Sequence, residues 1–173
     1  MTVADYIVEF FENLGVEHVF TVSGGGSIFL CDALARAKKM KYVCCHHEQA
    51  AGYAAESYAR IRGLGVCLVT SGPGGTNAVS AVGSCFMDSV PVVFISGQAF
   101  LNQTITSHPG LRQLGVQEID IVDIVKPITK FHTMIESTRY IKEILDVSVR
   151  YAVSGRPGPV WLDIPGDIQN SKI

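Results

Sequence analysis

Apolar positions fall in short, β-branched runs that alternate along the whole chain with segments of helical pattern. Residues 2–14 read as a helix, with Thr2 as its N-cap and Asp5 in the first turn, where a carboxylate meets the helix dipole. Gly15 stops it, and 18–22 follow as a strand. The pattern then predicts a helix over 27–38, an extended run over 42–45, and a second helix over 48–61. That helix is rich in Ala, carries Tyr53 and Tyr58, and ends at Gly63. Further strands are expected at 66–70, 90–95, 131–135 and 160–164, with helices over about 76–87, near 118–125 and over 138–153. Strand–helix alternation at this spacing calls for a parallel sheet covered by helices on both faces. The expectation is an α/β chain, three-layered α/β/α, with about six strands and one domain over 1–173. Only the residues after Pro165 read as a boundary.

In folds of this class function collects in the loops at the carboxyl ends of the strands. Four such loops stand out: Ser23-Gly24-Gly25-Gly26-Ser27, His46-His47-Glu48-Gln49, Ser71-Gly72-Pro73-Gly74-Gly75-Thr76-Asn77, and Gly97-Gln98. Neither glycine-rich loop is a nucleotide fingerprint. A dinucleotide motif from Gly24 meets Phe29 where glycine is required, one from Gly72 meets Asn77, and neither carries the Lys-Ser/Thr of a P-loop. Tight turns before helices would explain one such loop. Two on neighbouring strand ends point to backbone that comes close to a ligand.

Glu48 stands where an apolar strand turns into a helix, between those loops. A first-turn glutamate can simply answer the helix dipole. At this junction it is also placed to hold a ligand nitrogen and to relay a proton. The pair His46-His47 does not make a metal site, because His47-Glu48-Gln49-Ala50-Ala51 lacks the second histidine of HExxH. Asp88 and Asp163, near strand ends, read as loop braces, and Gln117-Glu118-Ile119-Asp120 as the capped start of a helix.

Composition narrows the classes. Of 173 residues 47% are apolar and only 17% charged, which fits a largely buried parallel sheet plus an interface. No apolar run is long enough to span a bilayer. A net charge of −2 without a Lys/Arg cluster argues against nucleic acid. The five cysteines form no CxxC pair and lie in apolar runs, as buried free thiols of a reducing compartment do. No signal peptide opens the chain, so cytoplasm is the expectation.

The ordered set of segments resembles the pyrimidine-binding domain of thiamine diphosphate enzymes of the acetolactate synthase type. The likeness runs nearly end to end. It is carried by 20–26, His47-Glu48-Gln49-Ala50-Ala51 with Tyr58-Ala59-Arg60, Thr70-Ser71-Gly72-Pro73-Gly74 with Thr76-Asn77, and Met87-Asp88-Ser89-Val90-Pro91. It continues through Ser96-Gly97-Gln98, 117–120, 127–130 and 155–160. The resemblance implies the thiamine diphosphate-binding fold. It also implies that Glu48 hydrogen-bonds the cofactor's pyrimidine ring and favours its imino tautomer, preparing the thiazolium carbon for a 2-keto acid. Thr70, Pro73 and Asn77 match positions that line the pyrimidine. Gly24 and Gly25 match a loop facing the reaction centre, and Gln117 a polar group near the substrate.

The chain departs from that family at His46, where arginine is usual, and at Val116, where phenylalanine is usual. Both lie near the substrate side, so related lyases, carboxylases and sugar-pathway enzymes stay open beside acetolactate synthesis. The family's Gly-Asp-Gly, which marks magnesium-held diphosphate on a separate domain, does not occur: Gly166-Asp167 is followed by Ile168. The resemblance therefore implies half a site, inactive alone. A diphosphate domain would act in cis or in trans, and a homodimer would form through 48–61 and the helix before Met87. The alternative is a non-catalytic regulatory or structural domain that kept the fold.

Overall fold

The computed structural model describes residues 1–173. Six strands, β1 (His18–Thr21), β2 (Lys41–Cys44), β3 (Gly65–Val69), β4 (Val92–Gln98), β5 (Phe131–Met134) and β6 (Val160–Pro165), form one sheet in the order β2-β1-β3-β4-β6-β5. Every neighbouring pair is parallel. Between them run α1 (Val3–Asn13), α2 (Ile28–Ala35), α3 (Glu48–Arg62), α4 (Pro73–Asp88), α5 (Ile121–Val125), α6 (Ile141–Val153) and, last, α7 (Gly166–Asn170).

Alternation within the central strands divides the core in two. Val66, Leu68, Val93, Ile95, Val160, Leu162 and Ile164 pack under α1, α2 and α6. Cys67, Val69, Val92, Phe94 and Trp161, the residues between them, pack under α3, α4 and α5. This is the expected three-layer α/β/α architecture, with strands buried on both faces.

Local signals explain most element ends. Thr2 and Asp5 make a full capping box at α1: Thr2 Oγ1 accepts from Asp5 N at 3.1 Å, and Asp5 Oδ2 from Thr2 N at 2.9 Å. Gly63, at φ 87°, closes α3 in the left-handed conformation. Helix α4 begins three residues earlier than the pattern predicts because Pro73 occupies its first turn, where a missing N–H costs nothing.

Two expectations need correction. Gly97-Gln98 is not a loop but the buried end of β4. The residues after Pro165 are not a boundary: Gly166–Asn170 form α7, and the fully buried Gln169 donates to Gly26 O and Ile164 O, both at 2.7 Å. Five residues are too few to register as a helical period. The cysteines are all free thiols, with Cys67 and Cys85 buried, Cys31 and Cys45 half-buried and Cys44 exposed. No helix is long and apolar enough to cross a membrane.

Candidate functional site

Chain direction over the sheet reverses between β1 and β3: β1 connects outward to the edge strand β2, and β3 inward to β4. Loops leaving two adjacent strands in opposite directions open a crevice at their carboxyl ends, the usual ligand position in this architecture. Both glycine-rich loops lie there, on 22–27 and 70–77.

The two loops interlock. Gly26 N donates to Thr70 Oγ1 at 3.0 Å. A Cβ on Gly24 would sit 2.6 Å from the Thr70 side chain, one on Gly26 2.7 Å from Ser71 Oγ, and one on Gly74 2.6 Å from Thr70 Cγ2. Thr70 is thus the wedge around which three glycines close. Gly25 differs: a Cβ there meets nothing within 4 Å, so its backbone faces open space. Gly72 takes φ +56°, and a side chain on it would run into the carbonyl of Gln117. Gln117 is itself at φ 55°, a conformation few non-glycine residues adopt.

Glu48 is the first residue of α3, capped by His47, whose Nδ1 accepts from Gln49 N at 3.1 Å. Its neighbour across the crevice is the start of α4. The helices approach closely because small residues face each other, and a Cβ on Gly52 would lie 2.5 Å from that of Ala81. Asn77 Nδ2 therefore reaches Glu48 Oε2 at 2.9 Å. Glu48 Oε1 has no hydrogen bond within the chain and lies 3.6 Å from where a Cβ on Gly74 would stand. Two helix N-termini meet at this point. Glu48 is half-buried and Asn77 and Pro73 are exposed, so the chain by itself leaves the crevice wet.

Glu48, Gly24, Gly25, Thr70, Pro73 and Asn77 are brought to one crevice, and Gln117 abuts it through Gly72. No group of three or more His, Cys, Asp or Glu is arranged to hold a metal ion. The Asp163 carboxylate bonds no loop directly, as the expected brace would: it is buried within β6, accepting from Ser96 Oγ at 2.6 Å and Gln98 Nε2 at 2.9 Å. A lone carboxylate in the run Val160-Trp161-Leu162-Asp163-Ile164 was the signal in the sequence for such a buried network.

A family model described as thiamine pyrophosphate enzyme, N-terminal TPP binding domain, matches residues 1–124. The chain is 40% identical over its full length to an acetolactate synthase large subunit of Corynebacterium glutamicum, covering 27% of that protein. It is 36% identical over 98% of its length to the large subunit of acetolactate synthase isozyme 1 of Escherichia coli, covering 29%. It is 41% identical over 96% of its length to a chloroplastic acetolactate synthase of Arabidopsis thaliana, covering 24%. The chain thus spans roughly a quarter of the length of these relatives.

Proposed function

The chain belongs to the family of thiamine pyrophosphate enzyme N-terminal, TPP-binding domains, and from that premise we propose that its β1/β3 crevice holds the pyrimidine end of thiamine diphosphate in an enzyme acting on a 2-keto acid. The reaction class is decarboxylation with carboligation, a lyase or transferase chemistry. What carries this reading is the carboxylate of Glu48, with one oxygen tied to Asn77 and the other unused at the mouth of the crevice.

That arrangement fits a heteroaromatic ring with an edge nitrogen. Asn77 fixes the plane of the carboxylate through Oε2, and Oε1 is left to hold or accept a proton at a ring nitrogen. Gly25 offers backbone with no side chain in the way, and Pro73 and Thr70 give the flanking walls. Gly24, closed against Thr70, shapes the loop and keeps Gly25 forward. Gln117 lines the same cleft as Gly25, Gly26 and Ser71, and its amide is the polar group assigned here to the substrate. Thiamine diphosphate, when bound, supplies the electron sink that the chain's own side chains lack. Exclusion of water falls to a second surface, since Glu48 is only half-buried here.

Two further parts belong to the proposal. The magnesium-held diphosphate is bound by another domain, in cis or in trans, so the 173-residue chain alone turns over no keto acid. The outward faces of α3 and α4, with Tyr53, Ile61, Phe86 and Met87 exposed, pair two copies of the domain. Five free thiols suit a reducing compartment such as the cytoplasm.

Glu48→Gln tests the assignment. In the enzyme assembled with its diphosphate-binding domain, the substitution is expected to cut keto-acid turnover by about 10²–10⁴. Turnover unchanged by Glu48→Gln would remove Glu48 from the chemistry.

A further inference from the structure

A polar cluster lies buried between β4 and β6, and the role of Glu48 makes no use of it. Ser96, Gln98 and Asp163 are 0%, 3% and 1% exposed. Asp163 Oδ1 accepts from Ser96 Oγ at 2.6 Å, and Oδ2 from Gln98 Nε2 at 2.9 Å. Ser96 Oγ in turn accepts from Trp161 Nε1 at 2.8 Å. No lysine or arginine answers the charge. Asp163 lines a cavity of about 520 Å³ that it shares with Glu118 and Asp120 of the segment after β4, Asp123 of α5, His132 of β5 and Glu136 just beyond it. A buried carboxylate without a cation is costly, and its presence asks for a reason.

The reason lies in what Gln98 does with the rest of its amide. Gln98 Nε2 also donates to Ile119 O at 2.9 Å, and Gln98 Oε1 accepts from Ala99 N at 3.0 Å. Ile119 is two residues beyond Gln117, whose left-handed backbone leans on Gly72 at the crevice. A strained conformation of that kind persists only where its surroundings hold it. We infer that Asp163 is a positioning residue for the crevice: its carboxylate orients the Gln98 amide, the amide anchors Ile119, and the anchor keeps Gln117 against Gly72.

The chemistry of the pair makes this orientation depend on charge. An ionised carboxylate only accepts, so Gln98 must turn its Nε2 toward Asp163. A protonated one can donate, which admits the flipped amide with Oε1 toward Asp163. The flip removes both the bond to Ile119 O and the bond from Ala99 N. Desolvation by burial, with Asp120 and Glu118 adding to it against the bonds from Ser96 and Gln98, pushes the Asp163 carboxyl up to about 7. Above that pH the ionised carboxylate excludes the flipped amide; as pH falls through it that exclusion is lifted and the hold on Ile119 weakens. The consequence for substrate rests on the role proposed above for Gln117, whereas the coupling from Asp163 to Gln117 does not.

Nuclear magnetic resonance on the 173-residue chain reads this coupling without cofactor or turnover. The Gln117 and Ile119 amide resonances should move between about pH 5 and about pH 9 with the same midpoint as the Asp163 carboxyl carbon. Asp163→Asn should abolish the step. Ser96→Ala, which takes away a bond that favours the ionised form, should shift the midpoint to higher pH, and it serves alone if the Asn variant does not fold. A Gln117 resonance that ignores pH overturns the proposal. So does a step that survives Asp163→Asn, which would trace it to another group of the cavity, or a midpoint that Ser96→Ala leaves in place. Adding thiamine to the same sample reports on the crevice separately: coupling intact without any response to thiamine would count against the ligand and leave the positioning role standing.

Discussion

Gly25 and Gly26 are adjacent and answer to opposite constraints. At Gly26 a methyl group would strike Ser71 Oγ at 2.7 Å, with backbone Ser71 N behind it at 3.1 Å, whereas at Gly25 it would meet nothing within 4 Å. Gly26→Ala should cost about 1–3 kcal/mol of stability in a denaturant titration. Gly25→Ala should leave stability within about 0.5 kcal/mol and act only on ligand affinity, by filling the space the ligand's ring would take. Equal stability losses for the two would mean that the loop carries no separation of packing from binding. At this scale the sequence was informative where chemistry coincides with a junction. Glu48 follows an apolar strand and opens a helix, and Asn77 lies one turn into the next. It was misleading at Asp163, because an aspartate near a strand end usually braces a loop, and only the neighbouring strand supplies the Ser96 and Gln98 that bury it.

Among the elements, α3 and α4 do most to build the site. Ala51, Ala55, Ala59, Ala78 and Ala81 of the two helices share one buried cluster, and small residues such as Gly52 and Ala81 let the backbones approach and bring the two N-termini together. Arg60 locks the far end, pairing with Glu56 at 2.5 Å and Asp88 at 2.6 Å. Their outward faces expose Ile61 at 84% and Met87 at 70%, large apolar side chains that water does not favour. Sedimentation at high concentration should find a dimer, and Ile61→Asp with Met87→Asp should return it to monomer. A monomer from the start would contradict pairing through these helices. Element positions were legible wherever a period or a breaker marked them, as at Gly15 and Gly63. The start of α4 was hidden by its glycines, α7 by its length, and the last residues of β4 by Gly97-Gln98, whose types read as loop until β6 pairs with them.

The whole molecule places its chemistry by topology. Parallel strands with helices on both faces could be read from the chain, but the order β2-β1-β3-β4-β6-β5 could not, because no local signal says which strand lies beside which. That order brings the loops after β1 and β3 together and makes one crevice of two glycine-rich segments some 45 residues apart. In the function proposed above, this crevice takes the pyrimidine ring of thiamine against Glu48. The most direct measurement is a map of amide shifts on the 173-residue chain titrated with thiamine to millimolar concentration. Weak binding is expected, with shifts concentrated at Gly25, Glu48 and 73–77 and lost in Glu48→Gln. Shifts absent throughout, centred elsewhere on the surface, or indifferent to Glu48→Gln would contradict it.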